Sequence, residues 1–125
     1  MPRAGSSLNR EPMTDRLKAN RELVRRLYEE VFSAGRLDVV DELMTDDYVN
    51  HDPPPGAGHT REDVKVIATG FRERIPGFRA RVDRIVAEGE FVAVQGTASG
   101  SAASPEIKLG EFFRIERGRI AERWG

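Results

Sequence analysis

The hydrophobic period of this chain changes partway along it. Leu17, Val24, Leu27, Tyr28, Val31 and Phe32 fall on one face of a 3.6-residue repeat. From residue 78 the repeat is two: Phe78, Ala80 and Val82 alternate with Arg79, Arg81 and Asp83. A helix has one stripe to bury and a strand has one face. Helices followed by a strand meander therefore predict an α+β domain, with three N-terminal helices packed on one face of a strongly curved, mostly antiparallel sheet. Helices laid across the mouth of such a sheet leave a conical cavity, a natural small-molecule pocket.

Local signals place the elements. Residues 1–13 read as a disordered tail, with Pro2, Gly5 and Pro12 against regular structure, and 14–125 as a single domain. Thr14 or Asp15 is placed to cap the first helix, and Gly35 to end it. A short second helix carries Leu37, Val40, Leu43 and Met44, and Tyr48–Val49 follows as a short extended piece. Thr60 and Asp63 form a capping-box signal for a third helix through Val64, Ile67, Ala68 and Phe71. Strands follow at 78–86, 91–95, 107–116 and 120–124, with Arg117–Gly118 turning the last hairpin.

Composition narrows the function classes. The chain has 125 residues, enough for one ordinary domain. It has no cysteine, which excludes a disulfide framework, a thiolate nucleophile and thiolate metal sites. Two histidines are too few for an all-histidine zinc site, so no metal and no cofactor are expected. Lys and Arg total 20 against 21 Asp and Glu. That balance gives no long-range field for nucleic acid or an anionic membrane. No apolar run approaches the roughly 20 residues of a membrane span, and a cytoplasmic location is the default expectation.

Glu111 breaks the pattern. By parity it shares a face of its strand with Leu109, Phe113 and Ile115, so the face that buries those residues receives a carboxyl group. A carboxyl on an apolar face must be paired, hydrogen-bonded or neutral. Burial raises its proton affinity toward the range useful for acid/base work. Two other readings stand beside this one: a strand bulged by one residue, leaving Glu111 in water, or a salt bridge to one of many arginines.

Other candidates are weighed in the same way. Glu122 shares a parity with Ile120 and Trp124. It reads as an inward carboxylate near the pocket mouth or as a structural partner of an arginine. Trp124 is either core or an aromatic pocket wall. His51 and Asp52 precede the Pro53–Pro54–Pro55 run. They offer a proton carrier near neutral pH and an anionic acceptor. Neighbours on an extended chain point opposite ways, so one of the two, not both, is expected in the pocket. His59 reads as solvated. Tyr28 is either plain core or a phenol donor in the cavity.

Three segments form a recognisable set. They are Leu27 to Asp38, Asp46 to Pro53, and Glu111 to Trp124, the last a strand–glycine turn–strand ending in Glu-Arg-Trp. The set resembles the SnoaL-like polyketide (ester) cyclase family of the nuclear transport factor 2-like superfamily, over roughly residues 18–125. The resemblance implies a cone-shaped α+β barrel that dimerises through its sheet. It implies that Glu111 is the acid/base of an intramolecular aldol closure, with His51 and Trp124 as pocket residues. Steroid Δ-isomerases of the same superfamily give a second overlay. There Tyr28 matches an oxyanion-hole tyrosine, Asp52 the base, and Glu111 a protonated carboxyl donor. The loop after the second long strand, residues 99–105, is shorter than in the cyclases.

The expected function is a cofactor-independent acid/base enzyme on a small apolar carbonyl compound. Glu111, His51 and Asp52 would be catalytic, and Tyr28, Phe113, Glu122 and Trp124 would shape the pocket. The alternatives are a non-catalytic dimeric small-molecule-binding module and a double-bond isomerase. Phe112 and Arg114 alternate on the outer face of the sheet, which fits a homodimer contact.

Overall fold

Val24, Leu27, Tyr28 and Val31 are buried along one side of a helix, where the 3.6 period puts them. The structure, a computed structural model, describes residues 2–101 and 105–125, with side chains from residue 13 onward. Helix α1 spans Pro2–Arg26 and runs directly into a π-helical segment, Leu27–Ser33. The helical backbone is continuous through Thr14 and Asp15, so neither residue caps it. The tail expected over residues 1–13 falls almost entirely outside the described side chains.

Gly35 ends this helical arm in the left-handed region (φ +73°). It also makes room for a neighbour, since a Cβ there would come within 2.7 Å of Arg72 Nε. Arg72 donates to the carbonyls of Phe32 and Ser33, supplying cationic partners to the last turn.

A 3₁₀ turn, Leu37–Val39, leads into the four-residue α2, Val40–Leu43. The expected stripe is buried at Val40, Leu43 and Met44, but Met44 already begins strand β1, Met44–Asn50. β1 is longer than the two-residue piece expected because it finds a distant partner, pairing parallel with β5. Helix α3, Arg61–Arg74, starts at the expected capping box. The Thr60 N–H donates to Asp63 Oδ2 at 2.9 Å, and Asp63 N–H donates to Thr60 Oγ1 at 3.3 Å. Such a cap is worth about 1 kcal/mol.

Strands β2 (Arg79–Glu88), β3 (Phe91–Ser99), β4 (Ile107–Glu116) and β5 (Arg119–Trp124) complete a mixed five-stranded sheet of order β1-β5-β4-β3-β2. The sheet is curved rather than closed, and the helices cover its concave face, the α+β architecture expected. Residues 102–104 of the short β3–β4 loop lie outside the described residues.

Two bulges set which side chains face inward. Asp83 is an extra residue between the pairs Val82↔Gly96 and Arg84↔Gln95. The inward set on β2 therefore runs Ala80, Val82, then Ile85 and Ala87. Ala121 is the extra residue on β5, between Ile115↔Ile120 and Arg114↔Glu122. Past it the alternation reverses. Ile120 faces the core with Ile115, but Glu122 and Trp124 turn outward with Arg114 and Phe112, and Arg123 turns inward opposite Phe113.

Candidate active site

The concave face of the sheet and the helices above it enclose a cavity of about 300 Å³. Most of its wall is apolar, with Leu27, Phe32, Val64, Phe71, Phe78 and Leu109 among the contributors. Among the described residues, six that line it carry polar side chains: Tyr28, Tyr48, Asn50, Asp52, Glu111 and Arg123. They come from α1's π-helical extension, β1 and the turn after it, β4 and β5, so distant sequence meets at one end of the cavity.

Glu111 points into this cavity, its side chain 13% exposed. Its strand, β4, is unbulged against β3, with Val94 directly across, so the parity read from sequence holds. The carboxylate is fully partnered. Oε2 accepts from Arg123 Nε at 2.6 Å and lies 2.5 Å from Arg123 Nη2. Oε1 accepts from the Tyr28 hydroxyl. Glu111 is thus both inward and ion-paired, two readings that the sequence presents as alternatives.

Tyr28 is buried, and its phenol is held in the protonated form. Burial pushes its proton affinity up, and the negative charge of Glu111 pushes it further. Its seat depends on Gly96 of β3. A Cβ at Gly96 would come within 2.8 Å of both the Tyr28 ring and the Arg81 carbonyl oxygen. A glycine inside a strand often marks such a close approach.

Arg123 connects the carboxylate to β1. Its Nη1 donates to Asn50 Oδ1 and to the Asp52 carbonyl, both at 3.0 Å. Asn50 Oδ1 also accepts from the Asp52 N–H at 3.0 Å. The Asp52 carboxylate accepts from the Gly125 N–H at 3.0 Å and lines the cavity mouth. From Tyr48 to Asp52 the alternation is regular: Tyr48, Asn50 and Asp52 reach the cavity, while Val49 and His51 are exposed away from it.

Four expected site residues are not brought to the cavity. His51 takes the opposite side from Asp52. There its Nε2 lies 2.8 Å from Glu122 Oε1, and its ring stacks on Trp124 at 4.9 Å between centroids. Glu122 lies on the outer face because of the Ala121 bulge. Hydrogen bonds from Arg114, and then His51, hold its carboxyl below the usual carboxylate range. Trp124 follows Glu122 outward for the same reason. Phe113 shares the inward face with Glu111 but is completely buried in the core, beneath the cavity rather than on its wall. His59, expected to be solvated, is exposed and also places its Nδ1 2.6 Å from the Asn50 carbonyl.

Arg123, Tyr48 and Asn50 are site residues the sequence reading misses. Arg123 is hidden by the bulge. Tyr48 and Asn50 carry a usable signal, the period-two run through Asp52. No group of three or more acidic or histidine side chains is arranged to hold a metal ion among the described residues. Among the same residues, no helix is long and apolar enough to cross a membrane.

Comparison with known proteins agrees with this architecture. None of the curated proteins compared with the chain matches it. Among solved structures, it is similar to a candidate polyketide cyclase from Bacillus cereus ATCC 10987 (TM-score 0.79, 18% identity, 85% of this chain and 72% of the other). It is similar to wild-type IdmH, a candidate polyketide cyclase from Streptomyces antibioticus (TM-score 0.73, 27% identity, 84% and 88%). An LEH-like epoxide hydrolase from M. tuberculosis shares the fold (TM-score 0.67, 18% identity, 86% and 81%). The family model described as the SnoaL-like domain matches residues 24–123. The chain belongs to the SnoaL-like domain family.

Proposed function

We propose that the protein is an acid/base enzyme acting on a small, mostly apolar carbonyl compound, with Glu111 as the proton carrier. One observation carries the reading: a carboxylate on the wall of an apolar cavity, fixed in place by Tyr28 and Arg123. A fixed carboxylate beside a bound ketone can take a proton from the carbon next to the carbonyl. The C–H bond breaks, the proton moves to Glu111, and the electron pair passes to the carbonyl oxygen as an enolate. The enolate carbon then attacks a second carbonyl, closing a ring, or takes the proton back at another carbon, shifting a double bond. Glu111 returns the proton in either case. IdmH, described as a candidate cyclase, supports the ring-closing branch by similarity. Asp52 at the mouth is a second acid within the same cavity.

The competing reading is a non-catalytic binding module. The occupancy of both Glu111 oxygens by Arg123 and Tyr28 favours it, because a carboxylate so held is a natural specificity group. Deuterium incorporation separates the two. In D₂O, an aryl ketone incubated with the enzyme exchanges the protons beside its carbonyl faster than in buffer. A binding module leaves the exchange at the buffer rate.

The same proposal includes a homodimer formed through the outer sheet face. Phe91 and Phe112 stand exposed there with rings 5.8 Å apart, and Trp124 lies 6.4 Å from Phe91. Contiguous exposed aromatic surface is what a subunit contact covers.

A further inference from the structure

Two hydrogen-bond donors in the cavity are unused by the Glu111 network. Tyr48 is 3% exposed, lines the cavity, and its hydroxyl makes no hydrogen bond among the described residues. It is not sealed in the core either. The Thr45 hydroxyl is the single enclosed side-chain polar atom without a partner among those residues, so the Tyr48 hydroxyl opens on the cavity. Burial holds this phenol protonated, so it remains a donor.

Asn50 stands two residues further along the same face of β1 and is 4% exposed. Its orientation is fixed, because Oδ1 accepts from Arg123 and from the Asp52 N–H. The NH₂ group must therefore point the other way. It has no partner among the described residues and is not enclosed. Two donors from one strand thus face the space that Glu111 and Arg123 border.

We propose that Tyr48 and Asn50 bind the ligand's oxygen, and that this oxygen belongs to a neutral carbonyl rather than a carboxylate. The inference rests on the proposed carbonyl chemistry and supplies the donor pair that an enolate oxygen requires. Two further observations argue for a neutral ligand. Among the described residues, Arg123 is the one cationic residue on the wall; its Nε and Nη1 hydrogen-bond to Glu111, Asn50 and Asp52, and its Nη2 is held in the ion pair with Glu111. Two carboxylates, Glu111 and Asp52, border the same cavity and repel an acid. Tyr28 does not fill this role, because its hydroxyl is already given to Glu111.

Equilibrium binding tests the proposal independently of turnover. The probes are 2-acetylnaphthalene, 2-ethylnaphthalene, which has the same shape without the oxygen, and 2-naphthoate. Wild-type protein binds the ketone and rejects the carboxylate. Tyr48→Phe weakens the ketone about 5-fold, one hydrogen bond's worth, and leaves the hydrocarbon unchanged. The bound ketone's infrared carbonyl stretch lies at lower frequency in wild type than in Tyr48→Phe. Unfolding of the variant, followed by circular dichroism, is unaltered, since the hydroxyl has no protein partner to lose.

Equal losses for ketone and hydrocarbon, an unmoved carbonyl stretch, or no ketone binding to wild type would each overturn the assignment. So would preferential binding of naphthoate. Deuterium exchange at the buffer rate, with these binding differences intact, would instead remove the catalytic reading and leave the carbonyl site standing.

Discussion

Arg123 holds Glu111 side-on: its Nε donates to Glu111 Oε2 at 2.6 Å while Nη2 lies 2.5 Å from the same oxygen. The pair is 18% and 13% exposed, deep enough for each partner to depend on the other. Removing one charge from such a pair leaves the other uncompensated, whereas removing both is far cheaper. Arg123→Met is therefore expected to lower unfolding free energy by about 3 kcal/mol. Glu111→Leu combined with Arg123→Met recovers most of that loss. Urea unfolding of the three proteins measures both. A single variant no less stable than the double would contradict the pairing.

The tyrosines give a pH prediction. The chain has two, and burial pushes the proton affinity of both upward. A raised folded-state pKa means stability that is complete below the unfolded value, about 10, and is lost as pH rises above it. The folded protein should show no phenolate absorbance near 295 nm at pH 11, while protein unfolded in urea titrates near pH 10. Phenolate appearing in the folded protein near pH 10 would mean that Tyr28 or Tyr48 is open to bulk water.

The outer face predicts an oligomeric state. Phe112 is 46% exposed and stacks with Phe91 at the centre of the aromatic patch. Phe112→Glu places a charge there, and sedimentation should show a wild-type dimer converted to a monomer at micromolar concentration. The variant should keep its thermal midpoint as a folded monomer or lose only a few degrees. A wild-type monomer at that concentration would remove the dimer from the proposal.

Much of this site is legible in the sequence because β4 is regular. Nothing interrupts the alternation Leu109, Glu111, Phe113, Ile115, so parity alone puts Glu111 inside. The same argument fails one strand later. A single extra residue, Ala121, exchanges the faces, sending Glu122 and Trp124 out and Arg123 in. No local composition announces this bulge, because it is defined by the pairing of β5 with β4 and not by the residues of β5 alone. β1 hides its signal differently. Its partner is β5, 73 residues away by the pairing of Val49 with Glu122, so only a long-range contact makes it a strand. Once it is one, period two through Tyr48, Asn50 and Asp52 explains why His51 faces away.

The most direct measurement is the rate of deuterium incorporation beside the carbonyl of a bound aryl ketone, wild type against Glu111→Gln. Glutamine keeps the shape of the side chain and one acceptor oxygen but does not carry the proton; it also leaves Arg123 without its counter-charge, so some loss of stability is expected. The variant should retain a cooperative unfolding transition and bind the ketone, while its exchange rate falls at least about 100-fold, toward the buffer rate. Exchange by a folded Glu111→Gln protein at the wild-type rate would contradict the assignment of Glu111 as the proton carrier.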